Sequence, residues 1–276
     1  MNLANNTLGG TVAPERMMRR ASTPPNTAAA ALSRPSVQGI DVTTRLCDFA
    51  IVSFTVDPKR LRALLPSFLE PDVFTLADGS ERALVSAVPF RDADFRMVCL
   101  PGLRFAFNQI NYRAYVKNRG ERAVWFFGTM LGTPLVAVPR YGWKLPWHGA
   151  HIEVRARWEQ HRCVDFVLDA RGAWGTALLR CSGTAEPAGL LDGFATAEET
   201  SLVLTHPLRG YYRRRDGRLG TYAVWHERLE MTRGVVRTAR FSVFEDLGLV
   251  RQDARVHSVL LQQETEFIIQ LPPQTL

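Results

Sequence analysis

The sequence predicts a mainly β protein of α+β type, a mostly antiparallel sheet or barrel with a few short helices packed outside. Three observations predict it. Apolar runs of strand length follow one another through hairpin turns such as Asp78-Gly79 and Asn118-Arg119-Gly120. The helical stretches are brief and bracketed by proline. No glycine-rich loop joins a strand to a helix, which argues against a doubly wound nucleotide fold.

Residues 1–40 read as a disordered tail, with Asn-Asn, Gly-Gly, Pro24-Pro25 and an alanine run but little hydrophobic periodicity. Four arginines against one glutamate make it basic, and an organelle transit peptide is the alternative reading. Residues 41–276 are expected to form a single domain. Phe49–Val56 is a strand rich in β-branched and aromatic residues. Asp57-Pro58 then caps and opens a helix with Leu61, Leu64 and Leu65 on one face, and Pro66 stops it. Val73–Leu76 and Ala83–Pro89 pair across Asp78-Gly79. Phe105–Val116 turns through Asn118–Gly120 into Ala123–Phe127. Thr133-Pro134 opens a second helix, limited by Pro139. Ile152–Trp158, Cys163–Leu168 and Trp174–Cys181 form a meander. Thr196 and Glu199 fit a capping box for a helix to about Leu204. Thr221–His226, Val235–Phe244 and Val256–Leu271 complete the strands.

Composition bounds the function. Apolar residues at 46% and charged residues at 22% are those of a soluble globular protein. No run of eighteen apolar residues occurs, so no membrane span is expected. Four scattered cysteines lack a C-x-x-C pair, which fits free thiols in a reducing, cytoplasmic setting. The formal charge is +7, and basic residues are densest at Arg209, Arg213, Arg214, Arg215 and Arg218. Aromatics are not interleaved through that whole run, so a solvated loop is preferred and no nucleic-acid partner is expected.

Two stretches carry candidate chemistry. Alternation along Phe105–Val116 places Phe107, Gln109, Asn111, Arg113 and Tyr115 on one face, opposite Ala106, Ile110, Tyr112 and Ala114. On the inside of a barrel, Arg113 between amides is a carboxylate clamp. Arg140–His148 holds Lys144, one of only three lysines, among Trp143, Leu145 and Trp147. A lysine nucleophile needs a neutral amine, which apolar walls and the Arg140 cation would favour. The plainer reading is a surface lysine lying over two indoles. Beside His148, His151 and Glu153 no H-E-x-x-H helix or third histidine completes a catalytic metal site, so no metal and no cofactor is expected.

The stretches Val56–Pro66 (VDPKRLRALLP), Ala83–Phe90 (ALVSAVPF), Asn108–Val116 (NQINYRAYV), Ala123–Phe127 (AVWFF), Arg140–Ala150 (RYGWKLPWHGA), Tyr211–His226 and Val256-His257 together resemble the YqjF-like family of uncharacterised proteins (DUF2071), grouped with the acetoacetate decarboxylase-like fold. The resemblance covers about residues 48–273. It implies a closed, cone-like antiparallel β-barrel with an internal cavity. Two departures stand out: Gln109 occupies the position of a family glutamate, and Trp147 that of a tyrosine. Tyr141-Gly142-Trp143-Lys144 resembles the Tyr-Gly-Phe-Pro-Lys-Lys stretch of the decarboxylases, but Lys144 falls on the proline. Aligning the prolines instead puts Trp147 and His148 on the lysines.

These readings give two functions. One is an enzyme, lyase-like as in the decarboxylases, acting on a carboxylated or carbonyl-bearing metabolite. Lys144, Arg140 and His148 are its catalytic candidates, and Gln109, Asn111, Arg113, Trp143 and Trp147 its substrate-binding candidates. The other is a non-catalytic barrel that binds a small anionic ligand. A homo-oligomer is open in both.

Overall fold

The computed structural model describes residues 34–276, so most of the expected disordered tail lies outside the described residues. Arg34 already touches the body, pairing with Glu266 at 3.3 Å and lying over the Trp225 ring. The strands are β1 (Val42–Val56), β2 (Glu70–Pro71), β3 (Val73–Thr75), β4 (Glu81–Met97), β5 (Phe105–Asn118), β6 (Glu121–Leu131), β7 (Trp147–Glu159), β8 (Arg162–Gly172), β9 (Gly175–Pro187), β10 (Arg209–Arg213), β11 (Leu219–His226), β12 (Thr232–Phe241), β13 (Ser258–Ile269) and β14 (Gln274–Thr275). Three short helices join them: α1 (Pro58–Leu64), α2 (Ala197–Thr205) and α3 (Ser242–Asp246).

The local chemistry explains most boundaries. Asp57 caps α1 by accepting from the Lys59 amide at 2.7 Å. Thr196 caps α2 by accepting from the Glu199 amide, and Glu199 reaches back to the Ala195 amide. Three sequence expectations need correction. Thr133-Pro134 opens only a 3-10 turn (Pro134–Val136), followed by a π-helical turn (Val138–Gly142), because Pro139 has no amide proton to continue an α-helical ladder. The strand expected to Phe244 ends at Phe241, where Ser242 starts α3. The arginine run is not a free loop: its first part is β10, with Tyr211 and Tyr212 buried, and Arg214 and Arg218 both grip Asp216 in the turn that follows.

All fourteen strands described belong to one mixed sheet, where the sequence suggested a mostly antiparallel sheet or an antiparallel closed barrel. Most ladders are antiparallel, but β6 pairs in parallel with both β7 and β10. The division is clean along its length. Val124–Phe126 meets β10, and Thr129–Leu131 meets β7. Gly210 sits opposite Val124, and a Cβ there would collide with the Phe126 ring, so the close approach of β10 requires glycine. From β6 the ladders run two ways, through β7, β8, β9 and β12 or through β10 and β11, and both branches meet β13. The shared strands β13, β1, β4 and β5 lead back to β6.

The shared strands therefore carry two apolar faces. Ala50, Val52, Val85, Ala87, Ile110, Tyr112 and Ala114 pack into a filled core with Phe166, Leu168, Leu179 and Phe241. Leu46, Phe49, Val88, Phe90 and Tyr115 turn the other way, towards Phe126, Leu145 and Tyr212. Beside this second cluster Asp72, 1% exposed, binds Lys117 at 2.5 Å and Arg122 at 3.0 Å, and Arg122 also holds Glu199 of α2. We expect Asp72→Ala to cost about 2–3 kcal/mol in a denaturant titration, somewhat below the usual loss for a broken buried pair because both cations are partly solvated. A cost below about 0.5 kcal/mol would show that the network contributes nothing net.

Candidate functional site

The second face encloses a cavity of about 350 Å³. Its wall is built from β1, β4, β5, β6, β10, β11 and β13, together with the segments after β4 and β6. Most of the wall is apolar and much of it aromatic, with Phe49, Phe90, Phe107, Phe126, Trp143 and Trp147 among its side chains. Polar groups are few, so their placement decides what the cavity can hold.

The main polar set comes from the face of β5 that alternation selects. Gln109, Asn111 and Arg113 all line the cavity. Thr129 on β6 donates to Asn111 Oδ1 at 2.8 Å, and Gln109 Nε2 donates to the same oxygen at 2.9 Å. These two bonds fix both amides, leaving Asn111 Nδ2 and Gln109 Oε1 without partners among the described residues. Arg113 Nη2 donates to the Leu204 carbonyl at 2.8 Å and to the Tyr115 hydroxyl at 3.3 Å. Among the described residues no carboxylate pairs with Arg113, and Nη1 makes no hydrogen bond. A half-buried guanidinium is thus held at its edge by a carbonyl and a phenol while its charge remains uncompensated.

The other expected residues divide between the wall and the outside. Trp143, Leu145 and Trp147 lie on the cavity wall. Lys144 and His148 are not among the lining residues. The two indoles face the cavity, and Lys144 is not part of its lining. Lys144 has a left-handed backbone (φ 58°), and its carbonyl accepts from the Arg215 amide at 2.8 Å. Arg140 is also off the wall, lying over the Tyr141 ring in the π-helical turn. His148 stacks flat on Trp174, with ring centres 4.2 Å apart. Burial, then the nearby charges of Arg140 and Arg215, lower its pKa to about 4, so its ring is neutral at pH 7. His151 meets Glu153 at 3.3 Å on the exposed side of β7, and among the described residues no three potential ligands gather at metal spacing.

The structure adds two wall residues: His226, which the sequence suggests is only a satisfied structural histidine, and Asp92, which sequence reasoning passed over. His226 on β11 places Nδ1 2.7 Å from the Glu227 carbonyl and Nε2 2.9 Å from the Thr205 carbonyl. Burial lowers its pKa to about 4, and a neutral ring donates to only one of these oxygens. Asp92 on β4 is 2% exposed; Oδ1 accepts from Thr44 at 2.8 Å and Oδ2 has no partner. Burial raises its pKa to about 7, the Thr44 bond opposing the shift. The signal for Asp92 was present in the sequence, since it continues the alternation of Val88 and Phe90.

Comparison with known proteins follows this geometry. The family profile described as an uncharacterized conserved protein, DUF2071, matches residues 43–266. The uncharacterized protein YqjF of Bacillus subtilis is 35% identical over 83 residues, 29% of this chain and 32% of that protein. The chain thus spans about a third of the length of this curated relative. Among solved structures, the enduracididine biosynthesis enzyme MppR, complexed with the condensation product of pyruvate and imidazole 4-carboxaldehyde, superposes with a TM-score of 0.56 at 15% identity, covering 97% of this chain and 98% of that one. Acetoacetate decarboxylase from Legionella pneumophila gives 0.56 at 14% identity over 90% and 94% of the two chains. An acetoacetate decarboxylase-like enzyme from Sphingomonas wittichii gives 0.55 at 12% identity over 89% and 96%. At these identities the likeness is one of fold.

The Asp92 environment makes a prediction about stability. A carboxyl whose folded pKa lies above its unfolded value contributes stability that is complete below about pH 4 and is lost as pH rises through about 7. Asp92→Asn keeps the Thr44 bond and removes the titration. Its stability relative to wild type should therefore rise by roughly 2–4 kcal/mol between pH 4 and pH 8. Denaturant titrations of both proteins at the two pH values check this; an offset independent of pH would refute it.

Proposed function

We propose a function from two premises: the chain belongs to the DUF2071 family of uncharacterized conserved proteins, and its cavity presents an unpaired arginine on an otherwise apolar wall. The cavity binds a small molecule with a carboxylate or carbonyl head and an apolar body. The observation that carries this reading is Arg113. A partly desolvated guanidinium without a carboxylate is costly, and a ligand carboxylate would supply the missing charge. Asn111 Nδ2 and Arg113 Nη1 are the free donors for it, and Gln109 Oε1 is the matching acceptor for a hydroxyl. As part of the same reading, residues 41–276 form one domain and the sheet acts as a closed barrel around the ligand. The ladders linking β5 to β6 and β11 to β13 support that view.

The reading separates this chain from decarboxylases that use a lysine. No lysine is on the cavity wall, so a carbonyl ligand bound there meets no amine. Binding without imine formation is the primary function proposed. An enzymatic second reading has one specific support, the Asp92 carboxyl on the wall with a pKa of about 7, suited to donating or accepting a proton near neutral pH.

Borohydride reduction in the presence of keto acids should leave the protein mass unchanged; an adduct on Lys144 would overturn the binding reading in favour of imine chemistry. For any carboxylate found to bind, Arg113→Lys should weaken affinity by roughly 1.5–3 kcal/mol in calorimetric titration, since the planar fork is lost although the charge is kept. Equal affinity of wild type and Arg113→Lys would remove Arg113 from the site.

A further inference from the structure

The Arg113 reading fixes where a ligand's head sits, and strand register fixes what lies beyond it. Wall positions on β5 recur every second residue from Arg113 to Asn111, Gln109, Phe107 and Phe105. Eight residues separate Arg113 from Phe105, about 26 Å along an extended strand. β4 keeps the same order, with Val88 opposite Asn111, Phe90 opposite Gln109 and Phe95 opposite Phe105. The polar groups of β5 thus occupy one end of the cavity, and the stretch beyond Gln109 is aromatic. Its one carboxyl, Asp92, is engaged with Thr44, and its free oxygen is buried.

The two ends differ in access. At the Arg113 end the wall is completed by buried Thr205, Pro207 and His226. At the Phe105 end the wall reaches solvent through aliphatic side chains: Leu100 (52% exposed), Leu103 (53%), Leu135 (37%) and Val138 (55%). Leu100 and Leu103 lie between β4 and β5, and Leu135 and Val138 follow β6, so all four belong to the same end. An apolar rim around an apolar passage is poorly suited to a short hydrophilic acid, whose exposed neighbours would be polar at a mouth made for it.

We infer that the cavity takes a long-chain monocarboxylate head first, its carboxylate at Arg113 and its unbranched apolar tail running along the aromatic wall to the aliphatic rim. This rests on the reading of Arg113 given above and narrows its ligand class. A short keto acid such as pyruvate fills only the polar end and leaves the aromatic length empty. Each methylene added to the tail moves further apolar surface out of water, which corresponds to about a fourfold gain in affinity until the tail reaches the rim. Beyond that point further methylenes stay in solvent and the gain stops.

The test uses the full chain and straight-chain carboxylates from butanoate to octadecanoate, kept below their micelle concentrations, with binding followed by calorimetry and by the fluorescence of wall residues Trp143 and Trp147. The expected result is a rise of about fourfold per methylene followed by a plateau, with the methyl ester of the tightest acid at least tenfold weaker. Leu103→Asp should lower affinity for acids at the plateau and leave short acids unaffected. Wild type and the Leu103→Asp and Arg113→Gln variants are compared by thermal unfolding to confirm that each is folded. Affinity independent of chain length, but still lost in Arg113→Gln, overturns the long-chain inference and leaves the anion site standing. Esters that bind as tightly as acids, with no loss in Arg113→Gln, overturn the anion site itself. No binding at any length overturns both.

Discussion

The architecture depends on β6 dividing one edge between two parallel partners. An unpaired backbone edge inside the protein would leave amides and carbonyls unsatisfied, so each half of that edge must find its own strand. β10 serves Val124–Phe126 and β7 serves Thr129–Leu131. Because β7 pairs onward with β8 and β10 with β11, the sheet splits there, and it rejoins at β13. One branch closes over a packed interior, and the other passes over the cavity. Gly210 is the residue that permits the second branch, since any side chain at that point would meet Phe126.

This division also explains how the protein can hold a cavity of about 350 Å³ in a structure of this size. Empty apolar space costs stability because its lining loses packing contacts. On the shared strands β1, β4 and β5 the cost falls on one face. The opposite face is filled, with Tyr112 making edge-on contacts to Trp174, Phe241 and Phe244 at 5.3–6.2 Å. Adjacent residues of the same strand therefore do different work: Tyr112 packs, while Asn111 and Arg113 wait on a solvent-scale space. Alternation by two is the physical basis of that separation.

The same rule sets how much was legible in the sequence. It was read correctly on β5, where Gln109, Asn111 and Arg113 were placed on one face and Ile110, Tyr112 and Ala114 in the core. It could not be applied to Arg140–His148, where the cluster Trp143, Lys144, Leu145, Trp147 was taken as one environment: a π-helical turn and the left-handed Lys144 interrupt the period, and the cavity lining includes the other three but not Lys144. It was overlooked at Asp92, hidden by its charged neighbours Arg91 and Asp94. The helix ends at Asp57 and Thr196 were legible because a capping side chain bonds within three residues. The parallel pairing of β6 was not, since ladder direction between strands far apart in sequence leaves no local signature. β10 was missed for a related reason: arginines at its two ends masked the buried Gly-Tyr-Tyr between them.

The remaining step concerns how the polar end is kept ready without a ligand. Arg113 is not left to wander: the Leu204 carbonyl and the Tyr115 hydroxyl hold one edge of the guanidinium, and Tyr115 itself bonds Leu204 and Ser86. Leu204 belongs to α2, whose cap bonds through Glu199 to Arg122 and so to the buried Asp72. The orientation of the Arg113 guanidinium is thereby tied to a helix that is itself fixed to β6 by charge. Side-chain ordering is completed on folding, before any ligand arrives, so a bound carboxylate gains its hydrogen bonds without having to immobilise the arginine. On the proposed reading, the charge that remains uncompensated is what an anionic ligand would satisfy.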